Sequence, residues 1–199
     1  MVQRTLRSPR RRSALIGIVL VAALTLAACT VDGRLDLPDR GDRLTAFPDG
    51  GGRSSADGYI PDGGSVSVFD ESLPAIAGLD PELRVAVQAA TTAAAADGVE
   101  MVVTSGWRSP AYQQALLDDA TARYGSLAEA RKWVSTPELS AHVTGDAVDI
   151  GYTDADSWLS QHGTDYGLCQ IYTNEMWHFE LPIEPGGSCP VQRLDATAG

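Results

Sequence analysis

Three side chains in two separate segments of the sequence could hold a metal ion, and a fourth could activate water beside it. His142 and Asp149 lie seven positions apart, and Glu175 precedes His178 by three. Two imidazoles and one carboxylate suit a catalytic zinc ion, which takes three protein ligands and keeps one position for water. The same residue types could bind another divalent metal, or form a hydrogen-bonded polar cluster without metal. We predict that His142, Asp149 and His178 bind Zn2+.

The segments around these side chains have the alternation of strands. Residues 147–150 and 177–181 both alternate in side-chain direction between two faces. If they pair, their apolar side chains are buried on one face, and Asp149 and His178 lie together on the other. A bend at Gly145 would return His142 over the first strand.

Glu175 stands at an offset that a regular strand does not suit. Three residues before His178, its side chain would point away from the site. It can serve the metal only if the backbone at 174–176 is bent or bulged.

The order and spacing of these residues resemble a known family. Residues 140–149 have the pattern Ser-x-His-x-x-Gly-x-Ala-x-Asp, and residues 175–178 have Glu-x-Trp-His. The two motifs are similar to those of the VanY-type D-alanyl-D-alanine carboxypeptidases, zinc peptidases that act on the stem peptides of peptidoglycan. The resemblance runs in order from about residue 79 to residue 181.

Two further segments carry the resemblance, and two positions depart from it. Residues 105–109 with Gln113 resemble the family's Ser-Gly-Tyr-Arg-Ser…Gln segment, and residues 158–167 resemble the helix and turn before the last ligand strand. Trp107 stands where tyrosine is usual, and Met176 stands where proline is usual. Neither is a ligand, but Met176 leaves the bend before the last ligand less rigid than proline would.

The resemblance implies roles for four residues beside the metal. Glu175 would be the general base, which takes a proton from water and returns it to the leaving amine; otherwise it is a surface acid. Arg108 would bind a substrate carboxylate or the developing oxyanion; otherwise it belongs to a surface salt bridge. Gln113 and Ser140 would hydrogen-bond the substrate.

Other polar residues near these motifs have simpler expectations. We expect Asp146 to face solvent. Glu180 shares a strand face with His178 and is either its hydrogen-bond partner or an exposed acid. His162 lies at a predicted helix end, where an imidazolium favours the helix dipole, and we interpret it as structural.

Helix signals come first along the chain and strands cluster later, which favours the α+β class with a small antiparallel sheet and helices packed on it. The resemblance implies a single domain like that of the Hedgehog and D,D-peptidase proteins. The predicted helices are 80–97, 109–124, 126–133 and 154–162. The predicted strands are 100–105, 147–150, 168–172 and 177–181.

The N-terminal segment is typical of an export signal. Five arginines without an acid precede an apolar run too short to span a bilayer comfortably, and Leu-Ala-Ala leads into Cys29. This ending resembles a bacterial lipobox, so we predict a lipoprotein signal over 1–28 with Cys29 as the lipidated residue. The alternative is an ordinary secretory signal with an incidental cysteine. Residues 29–72 are rich in Gly, Asp, Ser and Pro and predict a flexible tether, with Val66, Val68 and Phe69 as alternative members of the domain edge, and residues 73–199 are the predicted catalytic domain.

The charge of the chain argues against nucleic acid as a partner. The net charge is −11, and without the five arginines of the predicted signal it becomes −16. A protein with this negative charge is repelled by nucleic acid and by anionic lipid headgroups. An acyl anchor would therefore have to hold it at the membrane. We expect a monomer anchored to the outer face of the bacterial cytoplasmic membrane, facing the cell wall.

Two cysteines remain outside the predicted signal, Cys169 and Cys189. In an oxidising compartment they are expected to form a disulfide that fixes the C-terminal tail, although a free pair remains an alternative.

These features favour one function over several rivals. We expect a zinc metallopeptidase that removes the C-terminal D-alanine from peptidoglycan stem peptides. An L,D-carboxypeptidase or a D,D-dipeptidase with the same zinc site stays open, as does a non-catalytic cell-wall-binding lipoprotein. Glu175 argues against the last, because a protein that only binds needs no general base.

Overall fold

A four-stranded antiparallel sheet lies at the centre of the computed structural model, which describes residues 53–197. The strands are β1 (Val102–Ser105), β2 (Ala147–Gly151), β3 (Cys169–Gln170) and β4 (His178–Glu180), in the order β1-β2-β4-β3. The predicted signal with Cys29, and residues 29–52 of the predicted tether, lie outside the described residues.

Six helices surround this sheet in the described part of the chain. They are α1 (Pro74–Ala77), α2 (Pro81–Ala96), α3 (Pro110–Tyr124), α4 (Leu127–Ala130), α5 (Ala141–Thr144) and α6 (Thr153–His162). Short 3-10 turns add Ser55–Asp57 and Gly163–Tyr166. The predicted α+β class, a small antiparallel sheet with helices packed on it, is confirmed.

Local sequence explains where the long helices begin. The side chain of Asp80 accepts hydrogen bonds from two backbone amides of α2, and Ser109 accepts one from Tyr112 in α3. Each helix then has proline at its first position, where no intrahelical amide hydrogen is needed. The third predicted helix is shorter than expected, because α4 continues only as turns after Ala130. Helices α1 and α5 were not predicted, since four residues are too few to show a helical period.

The main core lies between the sheet and helices α2 and α6. Its buried members include apolar residues of all three elements: Leu83, Val87, Ala90, Val103, Val148, Ile150, Ala155, Trp158, Leu159 and Phe179. A separate small cluster joins α3 to α4 through Leu117, Ala120 and Ala130. One face of the sheet is thereby filled with apolar side chains, which leaves the polar side chains of β2 and β4 to the other face.

The predicted tether is wrong for residues 53–72, which pack on the domain. Ile60 and Val68 are buried in the main core, and Val66 forms an antiparallel bridge with Val103 of β1. Asp57 accepts a hydrogen bond from the Ser109 hydroxyl, at the start of α3. Val66 and Val68 therefore belong to the domain edge, which the sequence left as an alternative, whereas Ile60 was missed because a single apolar residue has no helical or strand period.

None of the helices within residues 53–197 has the length and apolar character needed to span a membrane.

Candidate active site

The pairing of β2 with β4 places two of the predicted metal ligands side by side. Asp149 is opposite His178, and Val148 is opposite Phe179, whose side chain is fully buried in the core. Because strand side chains alternate, Asp149 and His178 both point to the other face of the sheet. The common face of Asp149 and His178 is the one that the sequence predicts.

The third predicted ligand comes from the short helix before β2. Gly145 ends α5 in the left-handed conformation with φ of +86°, and a Cβ there would approach the Gly78 carbonyl to 2.4 Å. Only glycine fits this reversal. The chain turns at Gly145 into β2, and His142, one turn earlier, lies over Asp149, as expected.

The three side chains converge on one point. Oδ1 of Asp149 lies 3.3 Å from Nε2 of His142 and 3.3 Å from Nδ1 of His178. Two ligands about 2.0 Å from a tetrahedral zinc ion stand about 3.3 Å apart, so the spacing matches such an ion. All three residues are buried.

Hydrogen bonds fix which nitrogen of each imidazole faces this point. Nδ1 of His142 lies 2.8 Å from the carbonyl of Gly106, and Nε2 of His178 lies 3.1 Å from Oε1 of Glu180. Donation to these oxygens leaves Nε2 of His142 and Nδ1 of His178 as lone-pair donors. Glu180 is thus a partner of His178, the first of the two roles that the sequence left open.

A further observation indicates that these side chains fit a zinc ion. Within residues 53–197, no hydrogen-bond partner is found for Oδ1 of Asp149 or Nδ1 of His178, although both atoms are buried. Buried polar atoms without partners are costly unless something else satisfies them. A metal ion coordinated by these atoms would do so.

The bend that Glu175 needs is present. Turns at 173–174 and 176–177 flank Glu175, and the amide of His178 donates to its carbonyl over 3.2 Å. Strand β4 therefore begins at His178, one residue later than predicted, and Trp177 is 39% exposed rather than part of the apolar face.

The carboxyl group of Glu175 has the surroundings of a proton acceptor. It is buried in the cleft that holds the three predicted ligands, and its Oε1 has no hydrogen-bond partner among the described residues. Burial raises the pKa of Glu175 to about 7. The nearby charge of His178 acts in the opposite direction but does not cancel this effect.

Arg108 is built into the site rather than standing apart in the cleft. Its Nη2 donates to Oδ2 of Asp149 over 2.8 Å, its Nη1 to Gln113 over 3.1 Å, and its Nε to Ser105 over 2.8 Å. Burial alone would raise the pKa of Asp149, but the neighbouring imidazoles and Arg108 hold it well below its usual value.

The two residues predicted to bind substrate line the same cleft. Gln113 is almost fully buried and makes two hydrogen bonds. Its side-chain oxygen accepts one from Arg108, and its side-chain nitrogen donates one to the Ser135 carbonyl over 2.8 Å. Ser140 is buried at the start of α5. Asp146 is exposed, as expected.

Sequence reasoning missed part of the wall of the cleft. The ring of Tyr172 packs against that of His178 with centroids 5.0 Å apart. Ala196, near the C-terminus, is buried in a cluster with Tyr172 and also lines the cleft. Tyr172 ends a predicted strand and Ala196 lies in the C-terminal tail, and neither position indicates a place in the cleft, so only the path of the chain reveals it.

The predicted disulfide is confirmed. Cys169 of β3 is bonded to Cys189, with their Cα atoms 5.7 Å apart. The segment after Cys189 then runs beside residues 171–173, where Arg193 exchanges backbone hydrogen bonds with Ile171 and Thr173.

Comparison with known proteins agrees with this site. A family model described as VanY, D-alanyl-D-alanine carboxypeptidase, matches residues 77–185, more than half of the chain. The match contains all the predicted site residues except the lipidation site and Cys189. The chain belongs to the VanY family of D-alanyl-D-alanine carboxypeptidases.

Individual relatives are similar over part of their length. A D-alanyl-D-alanine carboxypeptidase of Enterococcus faecalis (strain ATCC 700802 / V583) is 33% identical over 112 residues, covering 44% of this chain and 42% of the relative. The chain thus spans less than half of that protein.

Two solved structures are also similar. One is a mutant of the vancomycin resistance D,D-pentapeptidase VanY from a VanB-type cassette in complex with Zn(II), at 29% identity and a TM-score of 0.49, covering 51% of this chain and 71% of that one. The other is the LD-carboxypeptidase LdcB, at 25% identity and a TM-score of 0.47, covering 51% and 58%.

Proposed function

We propose that the protein is a zinc-dependent carboxypeptidase that removes the C-terminal D-alanine from peptidoglycan stem peptides. One observation supports this above the others. Nε2 of His142, Oδ1 of Asp149 and Nδ1 of His178 converge in a cleft that also holds the buried Oε1 of Glu175, which has no hydrogen-bond partner within residues 53–197. Family membership supplies the class of bond and substrate.

The chain's own residues divide the work of hydrolysis. When bound, a zinc ion would supply Lewis-acid polarisation of the scissile carbonyl and a lowered pKa for water. Glu175 accepts the proton of the attacking water and delivers it to the leaving amine of D-alanine. The buried cleft, about 200 Å³ in volume, limits the access of bulk water to these groups.

Arg108 has donors left for the substrate. A guanidinium carries five N–H groups, and the three hydrogen bonds to Ser105, Gln113 and Asp149 use three of them. The remaining N–H groups on Nη1 and Nη2 can bind the terminal carboxylate of the stem or the developing oxyanion. Gln113 holds the guanidinium in position from one side, and Ser140 offers a hydroxyl to the substrate.

The test is mass spectrometry of defined stems incubated with the protein, with and without a chelator. We expect a pentapeptide stem to lose one D-alanine, and the loss to stop when zinc is removed. Loss of the last residue of a tetrapeptide stem would indicate an L,D-carboxypeptidase, and hydrolysis of free D-Ala-D-Ala a dipeptidase. No zinc-dependent cleavage of any of these would reject the enzyme in favour of a binding protein.

The location of the protein is a separate proposal that the sequence alone supports. Cys29 after Leu-Ala-Ala would carry the lipid that anchors the domain outside the cytoplasmic membrane, within reach of the cell wall. Metabolic labelling with a fatty acid should mark the parent protein and not the Cys29→Ala variant. Labelling that persists in the variant would exclude Cys29 as the anchor.

A further inference from the structure

A second pocket adjoins the active-site cleft beside helix α3. It has a volume of about 260 Å³ and shares three lining residues with the cleft, Leu116, Trp133 and Val134. The two cavities therefore border each other at these three residues, and a ligand long enough to pass this wall would occupy both. We call it the α3 pocket.

Aromatic side chains dominate the α3 pocket. The rings of Tyr124 and Trp133 are stacked, with centroids 6.1 Å apart and an interplanar angle of 15°. Tyr124 is 40% exposed and Trp133 is 44% exposed. Deeper in, Tyr59 meets Tyr112 edge to face at 5.6 Å. Four aromatic rings in one small pocket, two of them open to solvent, are a feature that the proposed reaction does not require.

Charged groups of both signs surround these rings. The guanidinium of Arg123 lies 5.7 Å from the centroid of the Tyr124 ring, and Asp62 and Asp119 add carboxylates, the latter ion-paired with Arg53. Ligand sites combine apolar walls with a few well-placed polar groups. Flat aromatic walls with acceptors and donors at their edges suit a sugar ring, which has an apolar C–H face and a polar edge of hydroxyl and amide groups.

The separation along α3 between a residue of the active-site cleft and a residue of the α3 pocket agrees with the length of a stem peptide. Gln113, beside Arg108, and Arg123 are ten residues apart on α3, or about 15 Å at the rise of an α-helix. An extended stem of five residues covers about 14 Å from its terminal residue to the residue joined to the sugar. A stem whose terminal D-alanine lies at Arg108 would therefore bring its sugar to the level of Tyr124.

We propose that the α3 pocket binds the saccharide to which the stem peptide is attached. This inference rests on the proposed function for the direction of the stem and gives the enzyme a preference for stems still joined to glycan. The occupant is an amino sugar of the wall, bound by stacking on Trp133 and Tyr124 and by the polar groups around them.

Binding measured without turnover tests this inference separately from the reaction. The probes are a disaccharide-linked pentapeptide stem and the same stem with an acetylated N-terminus, titrated calorimetrically against the full chain carrying Glu175→Gln. Acetylation matches the amide of the linked form, so charge does not differ. We expect the linked stem to bind about ten-fold more tightly, a difference of about 1.4 kcal/mol, because only the linked stem carries a sugar that can contact the aromatic rings.

Substitutions in the α3 pocket should remove this preference alone. Adding Tyr124→Ala or Arg123→Gln should weaken the linked stem toward the affinity of the acetylated stem, which should not change. Phe69→Ala, at an exposed aromatic residue outside both cavities, is the matched control. Arg123→Gln keeps the test valid if Tyr124→Ala fails to fold.

Two results would overturn the inference. Equal affinity of the two probes for the parent would exclude a saccharide site, and equal weakening of both probes by the substitutions would assign the α3 pocket to the peptide. A preference for the linked stem in a protein that releases no D-alanine would retain the inference and reject the proposed reaction.

Discussion

Arg108 and Asp149 form an ion pair in which Nη2 lies 2.8 Å from Oδ2. The oxygen that takes this hydrogen bond is not the one that faces the imidazoles, so Asp149 uses one oxygen for each partner. The arginine to which the family resemblance gives a substrate role therefore also orients Asp149, a proposed metal ligand. Both side chains are largely buried, so salt screens their mutual attraction less than it would on the surface.

Arg108→Lys should lower kcat/KM for a pentapeptide stem by ten-fold or more. An ammonium cannot reach Ser105, Gln113 and Asp149 while also offering two donors to a carboxylate, and a charged hydrogen bond contributes about 1.5–3 kcal/mol. Steady-state kinetics measure the effect. Arg84→Lys, at an arginine beside Glu71 that does not line the cleft, is the matched control.

The same variant distinguishes an exopeptidase from an endopeptidase. Amidating the C-terminus of the stem should abolish cleavage by the parent and add little further loss in Arg108→Lys. If the parent cuts the amide as fast as the free acid, recognition of a terminal carboxylate is ruled out.

Glu175→Gln should retain zinc and lose turnover by about 10²–10⁴-fold, because the amide keeps the shape of the side chain but accepts no proton. Zinc content by atomic absorption and kcat on the same samples measure the two properties. Asp146→Asn, at an exposed acid near the metal motif, should change neither. Near-parental turnover in Glu175→Gln would remove the assigned proton carrier.

Glu180→Gln should weaken zinc binding by about 10–100-fold without removing a ligand. The carboxylate of Glu180 accepts from Nε2 of His178 and thereby holds Nδ1 toward the metal, a type of support whose loss has this effect in other sites. Competition with a fluorescent chelator measures the affinity. Glu184→Gln, at an exposed acid after β4, should leave it unchanged, and an unchanged affinity in Glu180→Gln would mean that the pair is incidental.

The central part of the site could be predicted from sequence because its geometry follows from a period. Side chains in strands repeat every two residues, so the alternation around Asp149 and His178 predicts both their common face and the burial of Phe179 on the other. The bend at Gly145 was predictable for a similar reason, since glycine tolerates the left-handed conformation found there.

The outer parts of the site could not be predicted in this way. Tyr172 and Ala196 meet because a disulfide and a few backbone hydrogen bonds guide the last segment, and no local pattern encodes that path. Ile60 is a single apolar residue in a glycine-rich stretch, so composition predicted a tether where the structure has packing. The ion pair between Arg108 and Asp149 forms where β1, β2 and α3 meet, and sequence spacing does not show that these three elements come together.

Asp156 predicts a pH dependence of stability outside the cleft. It is buried in α6, and burial together with the charge of Asp149 raises its pKa from 3.8 to about 6. The folded state then holds this proton more tightly than the unfolded chain. The stability from this group is complete below about pH 4 and is lost as the pH rises through 6.

Asp156→Asn should therefore stabilise the zinc-loaded protein at pH 7.5 by roughly 1–3 kcal/mol and have little effect near pH 4. Denaturant unfolding at the two pH values measures the difference. Asp154→Asn, at an exposed acid in the first turn of the same helix, should show no such pH dependence. A stabilisation equal at both pH values would not come from titration of Asp156.

The disulfide should affect the active site through the segment that it fixes. Cys189 holds residues 190–197 beside Tyr172, Ala196 is buried in the same cluster as that ring, and the ring packs on His178. Replacing both cysteines by serine should lower the free energy of unfolding by about 3 kcal/mol, the chain-entropy value for a loop of this size. It should also weaken zinc binding, because Tyr172 loses the support of Ala196. Denaturant unfolding and chelator competition measure the two effects.

Val191→Ala, at a residue that is 95% exposed in the same segment, should alter neither the stability nor the zinc affinity. If the double serine variant loses stability and keeps the zinc affinity of the parent, the tail stabilises the fold without supporting the metal ligand.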